Sequence, residues 1–261
     1  MNWKEWKKYY QMIVKRLGID NEKDKFSAHI LNKIIKNRID KEKIEYKLKK
    51  LLNNSNIFIF GCGPSLDSTI KLLKAIDYDG INIAADGAIT ALLENEIFCH
   101  INVSDLDGNI NDSLDANLKG TITIIHAHGD NINLIRDYVE KFRGNILGSV
   151  QTEPFGSLIN YGGFTDGDRC VFLATKFNCK RIILVGFDFG KKVGKYSKQN
   201  LGKHIAGPEK LIKLEFASFL ISEILKKYDI EMFTLSKDYN IDGLISISLD
   251  ELKEILREEK E

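Results

Sequence analysis

From residue 57 onward, short apolar runs of strand length alternate with stretches suited to helices, and this alternation constrains the fold more than any other feature of the chain. The runs cover 57–60, 81–85, 97–103, 121–126, 145–150, 181–187 and 231–235, with helical candidates at 67–76, 132–142, 168–177 and 208–228. Strands separated by helices cannot pair as hairpins, so the pattern predicts a mainly parallel sheet with helices on both faces, a Rossmann-like α/β fold. In such sheets ligands sit outside the carboxyl ends of the strands. A chain of 261 residues with 43% apolar content suffices for one large core, or a core with a small annex.

Residues 1–54 read differently. Trp3, Trp6, Tyr10, Ile13 and Leu17 recur at three- and four-residue steps, as do Ile30 and Ile34 and later Ile44 and Leu48. The spacing predicts an N-terminal helical region over 1–54, closed by the polar break Asn53-Asn54-Ser55, and a catalytic α/β domain over 55–261. The aromatic stripe calls for burial against the sheet domain or a second subunit, which leaves a homo-oligomer open. Residues 1–50 carry 15 Lys/Arg against 7 Asp/Glu within a chain of net charge +1. Because these charges are interleaved with apolar residues at helical spacing, they read as a solvated face rather than a nucleic-acid or membrane patch. No window approaches the ~18 apolar residues of a membrane span, so a soluble, cytoplasmic protein is expected. Cys62, Cys99, Cys170 and Cys179 show no paired metal-ligand spacing and receive no chemistry.

Four short segments carry the acidic chemistry: Asp86-Gly87 in AADGA, Asp105-Leu106-Asp107 in SDLDGN, Asp130 in HAHGDN and Asp166-Gly167-Asp168 in FTDGDR. Three of them directly follow a strand-like run. Carboxylates gathered there suit Mg²⁺, a hard cation that prefers oxygen ligands and keeps part of its water shell. In an extended tip, residues two apart point the same way, so Asp105 and Asp107 can address one ion while Leu106 faces the core. Capping or turn roles are the alternative.

Gly61-Cys62-Gly63-Pro64-Ser65 follows the first run and opens a helix, where free N–H groups attract phosphate; the same sequence also fits a tight turn that binds nothing. In HAHGDN two imidazoles and a carboxylate suggest a transition metal, but the ligand set is thin for zinc. His128 is better read as contacting phosphate or substrate, with Asp130 or Asn131 capping the next helix. In GGFTDGDR either Thr165 or Asp166 is an N-cap, and Arg169 near the helix start, where the dipole disfavours a cation, calls for a phosphate partner. Asp188 in GFDFG is a candidate for substrate recognition, or a turn residue. The Gly- and Lys-rich stretch 190–207 reads as a surface loop or a lid, with Lys192, Lys195 or Lys198 closing over phosphates.

Taken in order, GCGPSL, AADGA, SDLDGN, HAHGDN, GFTDGDR and GFDFG make the chain resemble the archaeal 6-hydroxymethyl-7,8-dihydropterin pyrophosphokinases of tetrahydromethanopterin biosynthesis, over roughly 56–190. The resemblance implies transfer of diphosphate from ATP to a pterin alcohol with Mg²⁺, releasing AMP. The spaced acidic motifs are also similar to those of thiamine pyrophosphokinases, and GCGPSL to the opening turn of sialyltransferase-type and flagellin-modification proteins, so thiamine transfer and a nucleotide-sugar transferase stand as alternatives. On the pyrophosphokinase resemblance, Asp105, Asp107 and Asp166 hold the metal, Asp86 and Arg169 act in catalysis, Gly61, Gly63 and Ser65 bind ATP, and His128, Asp130 and Asp188 bind the acceptor. No general base is identified; Asp86 and His128 are the candidates.

Overall fold

A computed structural model describes the chain except residues 77, 198–204, 238, 240 and 258–261. Three helices come first: α1 (Trp3–Leu17), α2 (Asn21–Ile35) and α3 (Lys41–Leu52). Their starts are set by side-chain caps, with Asn2 and Glu5 forming a reciprocal box on α1 and the carboxylates of Asp20 and Asp40 accepting first-turn amides of α2 and α3. The alternation then runs β1 (Asn56–Phe60), α4 (Leu66–Lys74), β2 (Ile81–Ala85), α5 (Ala88–Glu94), β3 (Ile101–Ser104), α6 (Ile110–Leu118), β4 (Ile122–Ala127) and α7 (Ile132–Tyr138). It continues through β5 (Ile146–Val150), β6 (Leu158–Ile159), α8 (Asp166–Lys176), β7 (Arg181–Val185), α9 (Pro208–Lys227), β8 (Glu231–Thr234), β9 (Ile245–Ser246) and α10 (Leu249–Arg257).

The nine strands pair in parallel, in the order β6-β5-β4-β3-β2-β1-β7-β8-β9, and an isolated antiparallel bridge joins Lys192 to Ile205 outside them. The order reverses between β1 and β7, which makes that point the topological switch of the sheet. Because successive residues of a strand face opposite sides, Ile57 and Ile59 of β1 join the core under α8 and α9, whereas Phe58 and Phe60 join the core under α4 and α5.

The N-terminal helices are built into these cores. Trp6, Ile13 and Leu48 of α1 and α3 are buried on the α8–α9 face, and Leu31 and Ile35 of α2 on the α7 face, so the segment straddles the β5–β6 side of the sheet. Trp6 is fully buried, and its Nε1–H donates to the Gln151 carbonyl at 2.9 Å. Side chains buried this completely stabilise the fold by roughly 1.5–3 kcal/mol each. Among the described residues no helix is long and apolar enough to cross a membrane.

Two expectations change. Residues 97–100 lie outside β3: Ile97 N–H bonds back to Leu92 at the end of α5, and His100 Nδ1 accepts from Asn82 N–H, so the apolar run is part turn and part strand. β6 and β9, two residues each, add edge strands with no signature in the sequence pattern.

Candidate active site

The ends of β2 and β3 converge their acids. Asp86, directly after β2, holds a left-handed backbone with φ +44°, and its Oδ1 accepts from the Ser104 hydroxyl at 2.6 Å. The same Ser104 Oγ accepts Leu106 N–H at 2.8 Å, tying the two strand ends together. The tip after β3 is not extended as expected. Asp105 Oδ1 accepts Asp107 N–H at 3.2 Å, and Leu106 takes φ +73° to bury its side chain, so a turn instead of a pleat brings the acids together. Carboxylate oxygens of Asp86, Asp105 and Asp107 lie within 4.8 Å of one another. Gly108 permits the approach, since a Cβ there would stand 2.6 Å from Asp86 Oδ2.

This crowding shows in the titration of the group. Burial first, then the charges of Asp105 and Asp107, push the Asp86 carboxyl up to about 7. Asp166 is held well above the usual carboxylate range by burial and by the charges of Asp105, Asp86 and Asp107. Asp105 goes the other way: burial works to raise it, but the His128 hydrogen bond and charge, with the Asp107 amide, outweigh that and bring it below its ordinary value. Three oxygen donors with little competing nitrogen or sulfur fit a hard divalent cation such as Mg²⁺, and a cation would relieve their repulsion. The converging trio is Asp86, Asp105 and Asp107. Asp166 lies beside it, near enough for charge coupling, because it is the first residue of α8 and not part of a strand tip.

Around the acids stand two histidines and an arginine. His128 Nε2 meets Asp105 Oδ2 at 3.2 Å while its Nδ1 accepts Asp130 N–H at 3.3 Å, an arrangement that assigns the proton to Nε2. Asp130 itself is exposed. Asn131 does not cap α7 with its side chain; it donates to the Asp105 and His126 carbonyls at 2.8 and 2.7 Å and so stitches the β3 and β4 ends. His126 is 3% exposed, and burial, then the charges of Arg169 and His128, hold its pKa well below the ordinary value, leaving a neutral ring. Its stacking on His128 brings no cysteine or third imidazole, and among the described residues the acidic trio is the one cluster of metal-ligand type. Thr165 takes the N-cap of α8, with Asp168 buried and accepting from Phe164 and Thr165 N–H at 2.6 and 2.8 Å. Arg169 is 5% exposed, and its Nε and Nη2 have no hydrogen-bond partner among the described residues. Burial lowers its pKa to about 10, opposed by the carboxylates of Asp168, Asp166, Asp24 and Asp105.

The glycine turn after β1 departs from the phosphate-binding expectation. Gly61 N–H donates to Val185 and Gly63 N–H to Gly186, each at 2.8 Å, and Ser65 donates its N–H and hydroxyl to Asp188 Oδ2 at 2.8 and 2.7 Å. The amides expected to hold ATP are thus engaged inside the protein, and the Asp188 oxygen expected to read an acceptor closes the turn. The glycines are explained by packing, because a Cβ on Gly63 would stand 2.3 Å from Asp188 Oδ2 and 2.5 Å from the Gly186 carbonyl. The described part of 190–207 lies across both turns: Gly194 packs on the Cys62 and Gly63 carbonyls, and the Tyr196 carbonyl on Gly87. Lys195 binds Glu94 and the Tyr196 hydroxyl, Lys192 is exposed, and Lys198 lies outside the described residues. A cavity of about 130 Å³ beside the acids is lined by Gly87, Thr90, Glu94, Asn109, Lys195 and Tyr196.

Sequence reasoning missed Ser104 and Asn131, which sit inside the quoted motifs but were not given positioning roles. It also missed Asp24 and Gln151, for which no local signal exists.

Fold and site together define a parallel α/β protein with an acidic centre on the carboxyl edge of its sheet. Residues 29–194 match the model of the MptE-like 6-hydroxymethylpterin diphosphokinases, and the chain belongs to that family. It is 44% identical to a 6-hydroxymethyl-7,8-dihydropterin pyrophosphokinase of Methanocaldococcus jannaschii over 88% of this chain and 99% of that one. Proteins of the same name from Pyrococcus furiosus and Methanothermobacter thermautotrophicus are 44% and 39% identical, over 85% and 87% of this chain and 93% and 97% of theirs. The solved structure of a Maf glycosyltransferase from Magnetospirillum magneticum AMB-1 superposes with a TM-score of 0.51 at 16% identity, over 80% of this chain and 38% of that one, a likeness of fold alone.

Proposed function

We propose that the chain transfers diphosphate from ATP to the hydroxymethyl group of 6-hydroxymethyl-7,8-dihydropterin, giving the pterin diphosphate and AMP, as a Mg²⁺-dependent step of tetrahydromethanopterin biosynthesis. What carries this reading is the likeness, over nearly their whole length, to three relatives bearing that name. The convergence of Asp86, Asp105 and Asp107 supports it chemically.

In the proposed reaction the acceptor oxygen forms a bond to the β-phosphorus as the bond from that phosphorus to the α–β bridging oxygen breaks, and AMP leaves with that oxygen. Asp86, Asp105 and Asp107 would hold Mg²⁺, which when bound neutralises charge on the polyphosphate. Little covalent work falls to the protein, so positioning and charge dominate. Arg169, buried beside the acids, adds a positive charge toward the transferring group. His128 orients Asp105. Because charge in the loose transition state is spread over the phosphoryl oxygens, no strong base is needed and the alcohol proton leaves to solvent.

The test is AMP formation from ATP, measured separately with the pterin alcohol and with thiamine. AMP with the pterin alone, stopped by a chelator and restored by Mg²⁺, is the expected result. A kcat/KM for thiamine equal to or above that for the pterin overturns the substrate, and no AMP with either overturns the reaction class.

A further inference from the structure

The carboxylate of Asp24, on α2, is 2% exposed and faces the site from the N-terminal helical region. Its Oδ1 accepts Gly129 N–H at 2.8 Å. Its Oδ2 accepts the Gln151 side-chain amide at 2.6 Å and the Tyr10 hydroxyl at 2.7 Å. Gly129 directly follows His128, whose ring meets Asp105, and Gln151 directly follows β5. Helix α2 comes so close that a Cβ on Gly129 would stand 2.7 Å from Lys23 Cβ and 3.5 Å from Asp24 N. The Asp24 charge also acts on buried Arg169. A buried carboxylate with three donors is costly to maintain away from water unless those donors hold it, so its position is tightly determined. Asp24, which lies just before the residues 29–194 that match the family model, therefore fixes from α2 the loop that presents His128.

We propose that Asp24 is a positioning residue of the cation site: by holding Gly129 it sets His128 against Asp105, and the N-terminal region is thereby part of the working site and not only a cover for the core. The inference rests on the reading of Asp86, Asp105 and Asp107 as the cation ligands. Partners that orient ligands from outside typically change metal affinity or activity by about 10–100-fold. Asp24 acts through one further link, so the lower end of that range is expected.

The experiment measures Mn²⁺ binding by calorimetry on the full-length protein, alongside kcat for AMP formation, for Asp24→Ala, Asp24→Asn, Gly129→Ala and Tyr10→Phe. Asp24→Ala is expected to weaken Mn²⁺ and lower kcat, each by about tenfold. Asp24→Asn, which keeps an oxygen for Gly129 N–H, should recover most of both. Gly129→Ala, which forces the loop off α2 while Asp24 stays intact, should reproduce the loss, and it decides the matter if Asp24→Ala does not fold. Tyr10→Phe removes a hydrogen bond to the same carboxylate without touching the loop; it should lower the melting temperature and leave Mn²⁺ affinity and kcat within about twofold.

The proposal is overturned if Asp24→Ala or Gly129→Ala is folded with unchanged Mn²⁺ affinity and kcat, or if Tyr10→Phe loses as much of both as Asp24→Ala. If the parent protein binds no Mn²⁺, the cation-site reading fails and takes this inference with it; parent binding with unchanged variants overturns the positioning role alone.

Discussion

The tips of β2 and β3 and the turn between β1 and α4 lie along one edge of the sheet, yet they treat their polar groups in opposite ways. In the turn, the amides of Gly61, Gly63 and Ser65 all reach acceptors supplied by β7 or the loop after it. At the tips, Asp86, Asp105 and Asp107 crowd one another, and burial, then the charges of the other two, raises Asp86 to about 7. A region whose hydrogen bonds close on themselves holds a shape. One that stores repulsion awaits a counter-charge. On the proposed function the acids carry the chemistry and the glycines the scaffolding, although both motifs look functional in the sequence.

The sharpest way to break this contrast is to remove one acid. Asp105→Asn or Asp107→Asn should lower kcat by about 10²–10³-fold, the scale on which a single preorganised charge-stabilising group acts. The protein should stay folded, because neither residue is a core contact; circular dichroism and kinetics on the same sample check both halves. Near-normal turnover in both variants at saturating Mg²⁺ would remove the cation assignment.

The turn should respond in stability instead. Gly63→Ala puts a methyl against Asp188 Oδ2 and the Gly186 carbonyl, and overpacking of this kind costs about 1–3 kcal/mol. Asp188→Ala leaves the Ser65 N–H and hydroxyl without their acceptor, at about 1–3 kcal/mol. In both, the melting curve should move while KM for ATP and for the acceptor hold. A specific rise in KM for the acceptor in Asp188→Ala, without a stability change, would return that residue to substrate recognition.

Much of this arrangement was legible in the sequence, for physical reasons. β1, β2, β4, β5, β7 and β8 are long enough in apolar residues to show their period, whereas β6 and β9 present two residues each and no pattern can register them. The acids were legible because carboxylates so close in sequence, just past buried strands, have few structural uses. The glycine turn misled because close packing and phosphate binding both require the same residue; only the observed acceptors separate them. Asp24 was illegible: its partners Gly129 and Gln151 lie 105 and 127 residues away, and within α2 it reads as one more surface charge.

A third test uses pH. A carboxyl whose folded pKa is raised binds its proton more tightly in the folded state, so the stability it contributes is present below its unfolded pKa and is lost as pH rises through the folded value. For Asp86 that window runs from about 4 to about 7, and Asp166 acts in the same direction, while Asp105, lowered, acts in the opposite one. Metal-free protein should therefore lose melting temperature across this range, and Mg²⁺ should restore it at the upper end. Asp86→Asn should flatten the profile and raise the metal-free melting temperature at pH 8 by about 2–4 °C for each kcal/mol of repulsion relieved. A profile unchanged by Asp86→Asn would show that the acids do not strain one another.

The smallest effect is expected at Lys195, and it bears on whether the loop after β7 belongs with the acids or with the turn. Were this lysine to close over phosphates, its loss would raise KM for ATP steeply. In the structure its Nζ stands 3.2 Å from Glu94 and 3.1 Å from the Tyr196 hydroxyl, with the lysine and glutamate side chains 64% and 49% exposed. An exposed pair of this kind contributes about 0–1 kcal/mol, because solvent screens it and two long side chains lose freedom to form it. The loop is held more firmly by contacts that Lys195 does not make, where Gly194 sits on the Cys62 and Gly63 carbonyls and Tyr196 lies buried with its hydroxyl on Glu94 at 2.6 Å. Lys195→Ala should thus shift stability by less than about 1 kcal/mol and leave KM for ATP within about twofold. Steady-state kinetics at low and high salt decide it: a tenfold rise in KM at low salt that shrinks at high salt would assign this lysine to the nucleotide and join the loop to the catalytic side of the edge.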